Sequence, residues 1–254
     1  MVVPVRKNEQ LGRLIEQVNA DDELYALWIA ENVTAIDRSG MTDHGPVHVK
    51  IVMNLAVRML RLLMAKGLEP SVVKDYGMRR EDAEVVVALA ALFHDVGMSI
   101  QRADHEAFSL FVAQSKLKAI LDGLYPLAEA TIVRSEVLHA IIAHRSGGKP
   151  LTLEAGIVRI ADALDIAKGR SRIPFEAGGM SIHSVSAAAI EAVRLEAGEE
   201  KPVRVVIEMS NSAGVFQLDE LFRKKLTGSG LEAYVELEAR VVGEEKKLIE
   251  RYAL

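Results

Sequence analysis

The residues with the most chemistry to offer are an imidazole and a carboxylate set side by side, His94 and Asp95. They close an apolar run, Leu92-Phe93-His94-Asp95-Val96-Gly97, where an unpaired charge costs on the order of several kcal/mol. Two arrangements meet that demand. The pair can close a structural hydrogen-bonded network, the common fate of a single buried histidine. Or it can bind a metal, which accounts for both residue types standing together. Further groups of the same kind strengthen the second reading. His48 lies beside the apolar stripe of its own helix, half turned toward the core, and Asp162 is an acid inside another apolar run, Val158-Arg159-Ile160-Ala161-Asp162-Ala163-Leu164-Asp165. His105 and His144 add imidazoles at the ends of two other expected helices, one near a start and one at a stop. Chance seldom gathers such groups on the helix ends and inner faces of one helical stretch.

The elements that must position them follow from periodicity. Leu11, Leu14, Ile15 and Val18 recur at helical spacing, and Asp21-Asp22-Glu23 opens a helix carrying Leu24, Leu27 and Trp28. A stripe of Val47, Ile51, Leu55, Met59, Leu62 and Leu63 runs on to a stop at Gly67. From Arg80-Glu81-Asp82 a further helix passes through Val85 to Leu92 with apolar residues on every side, which marks a central, buried helix. Helices over 103–121, 124–144 and 153–167 complete an all-α domain. After Pro174 the pattern changes to short segments rich in Val and Ile, at 181–186, 190–196, 203–209 and 234–242. An amphipathic helix, capped by Asn211 or Ser212 and stopped at Gly228, precedes the last of them. The expected fold class is α+β: a large all-α domain over 1–174, then a small β-β-β-α-β module over 175–254 with its sheet covered on one face. That module either covers the site or joins copies of the chain into a homo-oligomer.

Composition narrows the function. Half of the 254 residues are hydrophobic, enough for a substantial core, and few are aromatic, so Leu, Val, Ile, Ala and Met must build it. A net charge of −5 argues against electrostatic binding of nucleic acid. The absence of cysteine removes disulfides, thiolate zinc sites and a cysteine nucleophile. No signal peptide is evident, and the longest apolar stretch, Val85 to Phe93, is about half of a membrane span. A cytoplasmic protein with no membrane or nucleic-acid partner is expected.

The order His48, His94-Asp95, Asp162 resembles the HD superfamily of metal-dependent phosphohydrolases. Asp43-His44-Gly45-Pro46-Val47-His48-Val49, Leu92-Phe93-His94-Asp95-Val96-Gly97 and Ile160-Ala161-Asp162-Ala163-Leu164-Asp165 carry the resemblance, over about residues 40 to 172. It implies an all-α domain in which His48, His94, Asp95 and Asp162 hold a divalent metal. Many members hold a second ion through two extra histidines, and His105 and His144 fall in the right interval. Asp95 would then bridge the two ions. The resemblance implies hydrolysis of a phosphate ester or anhydride, of a nucleotide or a related metabolite, by metal-activated water. Mn, Fe, Co or Ni suits the mixed donor set better than Mg, which prefers oxygen and water. The chain departs from the cyclic-dinucleotide branch: Arg145 follows His144, no Lys follows the His-Asp pair, and no Gly-Tyr-Pro occurs.

A small phosphorylated substrate calls for cations, and Arg145, Lys168, Arg170 and Arg172 stand near the motifs. Cations at helix C-termini are also favourable as plain surface charges, the reading preferred for Lys149. His44, one helical turn before His48, is either a second base in the pocket or a surface residue at a helix start. His139 and His183 read as core, surface or strand residues. Asp165 shares a face with Asp162, where it orients a ligand or pairs with Arg170. Two other functions fit the same residues: a mixed-valent di-iron oxygenase and a nucleotide-binding regulatory protein.

Overall fold

The computed structural model describes residues 1–145, 147–167 and 186–243. In chain order these form α1 (Glu9–Asn19), α2 (Asp22–Asn32), α3 (Pro46–Ala65), α4 (Ser71–Tyr76), α5 (Arg80–Phe93), α6 (His105–Leu121), α7 (Leu127–Ala143) and α8 (Leu153–Ala163). A sheet follows, with β1 (Ile190–Ala197), β2 (Val203–Met209) and β3 (Val235–Val241). Between β2 and β3 lies α9 (residues 215–226), which is π-wound at Leu218–Arg223.

The helix that is apolar on all sides organises the rest. Every residue of α5 from Val85 to Phe93 is fully buried, and α1, α3, α4, α6, α7 and α8 pack around it. Three consecutive β-branched residues, Val85 to Val87, would weaken an isolated helix. Burial of each large apolar side chain contributes about 1.5–3 kcal/mol, so tertiary packing overrides that propensity.

The face that α3 buries differs from the expected stripe. His48, Val49, Val52, Met53, Ala56, Val57, Met59, Leu60 and Leu63 point inward, while Val47 and Ile51 are exposed. This helix is apolar on two faces, and the one carrying His48 is the one that meets α5 and α8. His48 is therefore fully buried rather than beside the core stripe. Two other helices are shorter than expected. Pro126, with ψ 152°, caps α7 and delays its start to Leu127. The last turn of α8 closes at Leu164.

The sheet has strand order β1-β2-β3, with β1 antiparallel and β3 parallel to β2. Its inner residues Ile190, Leu195, Val203, Val205 and Ile207 join the same core as the helices. The α3 residue Arg58 donates to the Leu195 carbonyl at 2.7 Å. The expected half-buried β3 is instead an exposed edge strand: only Val235 is buried, and Leu237 and Val241 face solvent. The fold class is α+β, as expected. The strand expected at 181–186 and the boundary at 174 lie outside the described residues, except Ser186, which is in a helical turn. No helix among the described residues is long and apolar enough to cross a membrane.

Candidate metal centre

The centre grows from the buried end of α5. A helix leaves its last carbonyls without intrahelical partners, and inside a core each needs a donor. The Ala91 carbonyl takes His94 Nδ1 at 2.8 Å, and the Leu92 carbonyl takes the indole N–H of Trp28 at 3.0 Å. The His94 carbonyl accepts from Ser109 Oγ at 2.8 Å. Ser109 Oγ in turn accepts from the Gly97 N–H at 2.8 Å. Gly97 lies in the 3₁₀ turn Val96–Ser99, against the α6 backbone; a Cβ there would lie 2.1 Å from the His105 carbonyl oxygen. The missing side chain lets α6 approach and bring His105 to Asp95.

Capping also aims the imidazoles. His94 and His144 occupy the C-cap positions of α5 and α7, and each ring folds back onto a carbonyl of its own last turn. His144 Nδ1 donates to Ile141 at 2.6 Å, as His94 does to Ala91. His48 Nδ1 donates to Asp165 Oδ2 at 2.6 Å. With Nδ1 protonated, Nε2 of all three rings is directed inward, where the neutral ring offers its lone pair. His105 serves either tautomer: its Nδ1 lies 2.9 Å from the Arg102 guanidinium and 3.1 Å from the Arg102 carbonyl.

These nitrogens divide between the two oxygens of one carboxylate. Asp95 Oδ2 lies 3.5 Å from His48 Nε2 and 3.2 Å from His94 Nε2. Asp95 Oδ1 lies 2.9 Å from His105 Nε2 and 3.4 Å from His144 Nε2. Asp162 Oδ1 joins the first set, 3.7 Å from both His48 and His94 Nε2. Two sets result, His48/His94/Asp95/Asp162 and Asp95/His105/His144, each with its donor atoms within 4.8 Å of one another.

Burial is the largest single influence on the charges here. It pushes the Asp95 carboxyl up, but His94, His105, His144 and His48 outweigh it and hold the pKa well below the carboxylate range. For Asp162, burial is outweighed by Lys225 and His94, with the same result. Burial pushes the His94 imidazolium down, yet Asp95 and Asp162 hold its pKa well above the ordinary value. His144 goes the other way: burial, with Lys225 and His94 as like charges, outweighs Asp95 and lowers it. Two ionised carboxylates thus call for positive charge where His48 and His94 Nε2 stand only 3.1 Å apart. With His94 held as an imidazolium, its Nε2–H bridges the two nitrogens, and a divalent cation can take the place of that proton. Nitrogens bound to one ion at about 2.1 Å and a right angle would be about 3.0 Å apart, so the donor set fits a divalent metal.

The profile of the HD domain matches residues 47–167. The uncharacterized protein MJ1020 of Methanocaldococcus jannaschii is 44% identical over 210 residues, covering 83% of this chain and 81% of that one. The chain belongs to the HD-domain family. No solved structure matches it. Family and geometry together place it in a superfamily of metal-dependent phosphohydrolases, with a His/Asp cluster compatible with divalent metal.

Of the residues singled out in the sequence, the HD centre gathers His48, His94, Asp95, His105, His144 and Asp162. Asp165 stands behind His48, bonded to its Nδ1. His44 is buried with its ring 5.3 Å from that of His48 and its Nδ1 on the Thr42 carbonyl at 2.6 Å; it joins neither donor set. Arg145 is exposed and meets the described residues through its carbonyl, which accepts from Arg159. Lys149 is exposed as well. His139 accepts from the Leu151 N–H at 3.0 Å, away from the centre. Lys168, Arg170, Arg172 and His183 lie outside the described residues. Sequence reasoning passed over Lys225, whose ammonium lies 3.3 Å from Asp162 Oδ2, and Arg159, which holds the Lys225 backbone.

Proposed function

We propose that this HD-domain protein hydrolyses a phosphate ester or anhydride of a nucleotide or related metabolite at a two-ion centre. One observation carries the reading: the Asp95 carboxylate turns a separate oxygen to each of two histidine pairs. A structural network has no need of that division, whereas a carboxylate bridging two cations does.

His48, His94 and Asp162 would hold one ion with Asp95, and His105 and His144 the other. Mn, Fe, Co or Ni suits this mixture of imidazole and carboxylate better than Mg. A bound divalent cation lowers the pKa of water from about 15.7 toward 7 and stabilises charge on a phosphoryl oxygen. The protein contributes orientation and exclusion. Nδ1 bonds to Ala91, Ile141 and Asp165 fix His94, His144 and His48, and burial of these rings keeps bulk water from competing for them.

Metal analysis of the purified protein, followed by a screen of nucleotides and phosphate esters with wild type and Asp95→Ala, tests the reading. The variant is expected to lose both ions and all turnover. Turnover unchanged in Asp95→Ala would refute it.

A further inference from the structure

We propose that Lys225, supplied by the segment that follows the HD domain, is the phosphate-binding residue of the centre. The proposal rests on the phosphohydrolase reading and names the group that receives its substrate.

The backbone of Lys225 is held in place by a buried guanidinium. Arg159, on α8 three residues before Asp162, donates Nε to the Lys225 carbonyl at 2.8 Å and Nη2 to that of Lys224 at 3.4 Å. Its Nη1 donates to the carbonyls of Arg145 and Gly148 at 3.0 and 2.7 Å. These are carbonyls at the end of α9 and in the loop after α7, where the Arg145 carbonyl also accepts from the Gly148 N–H at 2.9 Å. One side chain thus ties α9 to the loop that carries His144.

From that anchor the Lys225 side chain reaches the centre. Its Nζ donates to the His144 carbonyl and lies 3.3 Å from Asp162 Oδ2. Asp162 is thereby divided: Oδ1 faces His48 and His94, and Oδ2 faces the ammonium. An ammonium has three donors, and two are directed at these oxygens.

Access points to the use of the third. The imidazoles of the centre and Asp95 are buried, whereas Asp162 and Lys225 keep 16% and 18% of their side chains exposed. Solvent, and so a substrate, meets the centre on the side where Lys225 stands. Among the described residues it is also the cation ion-paired to a carboxylate of the two donor sets. A fixed positive charge beside a divalent ion weakens the hold of that ion unless an anion lies close to both. A phosphoryl oxygen supplies that anion, and a lysine ammonium is a strong donor to it.

The test compares Mn-loaded wild type with Lys225→Met, Lys225→Gln and Lys225→Arg, reading Mn affinity and inorganic phosphate affinity by calorimetry. The two neutral variants should bind Mn at least as tightly as wild type and phosphate about 10- to 100-fold more weakly. Lys225→Arg, which keeps the charge, should retain most of the phosphate affinity. Unchanged phosphate affinity in both neutral variants overturns the proposal. So does loss of Mn binding, or failure of both neutral variants to fold, since either marks Lys225 as a strut for Asp162 and His144. If Mn-loaded wild type neither binds phosphate nor hydrolyses any phosphate compound, the functional reading falls too. Normal wild-type binding with unaffected variants sinks the role of Lys225 alone.

Discussion

Replacing Gly97 by alanine should disable half of the centre without touching a proposed ligand. Gly97 is not among the residues with positive φ, so close approach rather than backbone freedom demands glycine there. The new Cβ would lie 2.1 Å from the His105 carbonyl oxygen, 2.3 Å from the Ser109 nitrogen and 2.7 Å from the Phe108 carbonyl carbon, where ordinary contact begins near 3.4 Å. All three are backbone atoms, so no rotamer change relieves the clash and the start of α6 must retreat by more than about 1 Å. That retreat stretches the Gly97–Ser109 and Ser109–His94 hydrogen bonds, both 2.8 Å, and the 2.9 Å contact between His105 and Asp95. Overpacking costs about 1–3 kcal/mol, and a buried polar group left unpaired about as much again. At about 2–4 °C per kcal/mol for a chain of this size, a loss of about 2–6 kcal/mol lowers Tm by roughly 4–24 °C. Thermal unfolding of the metal-free protein measures that loss, and metal content measures the local effect. The ion assigned to His105 and His144 should be lost in preference to the one at His48 and His94. A Tm within about 2 °C of wild type, with unchanged metal content, would show that α6 does not depend on the missing side chain.

Two further outcomes follow from the partners of the ligands. Asp165→Asn removes the carboxylate that fixes His48, and should weaken Mn binding by roughly 10- to 100-fold while the helical content stays unchanged. Equal Mn affinity in calorimetry would mean that packing alone orients the ring. The pH dependence of the metal-free protein follows from His94, whose pKa burial lowers but Asp95 and Asp162 hold well above the ordinary imidazole value. A raised folded pKa gives stability that is fully present below about pH 6.5 and is lost as pH rises through the folded value. Asp95 and Asp162 act at the other end: their lowered pKa values give stability present above the ordinary carboxylate range and lost as pH falls through the folded values. The Tm of the metal-free protein should therefore fall on the alkaline side of neutrality, and added Mn should remove that fall. A melting temperature flat across that range without metal would contradict the assigned charges.

What could be read from the chain depended on how local its cause was. The all-apolar run Val85 to Phe93 and the His-Asp pair at its end are consecutive residues, and both their burial and their grouping were legible. Asp165 was legible as an orienting residue because it sits one turn from Asp162. The face of α3 was not, since Val47 and Ile51 form as good a stripe as Val52, Ala56 and Leu60, and only contact with α5 and α8 chooses between them. The alternation in β3 was a true strand signal, but its burial was set by its place at the sheet edge. Lys225 gave no signal at all. It lies 63 residues from Asp162, in an amphipathic helix where a lysine is ordinary, and only the docking of α9 through Arg159 gives it meaning.

The same docking bears on why the chain continues beyond its HD domain. The α8 helix is shared property: its inner face supplies Asp162 to the centre, while Arg159 reaches across to carbonyls of α9. The sheet packs on α3, the helix that supplies His48, and Arg58 of that helix binds β1. Two of the helices that carry proposed ligands are thus braced from outside by the C-terminal segment. Carboxylates confined with little solvent need their orientation enforced, because each would otherwise relax toward water or toward the nearest donor. In this chain the enforcement comes from two layers, hydrogen bonds at the ends of α5 and α7 and the clamp on α8. Loosening the outer layer should therefore alter the centre before it alters the core of α5, which packs chiefly against α3, α7 and α8.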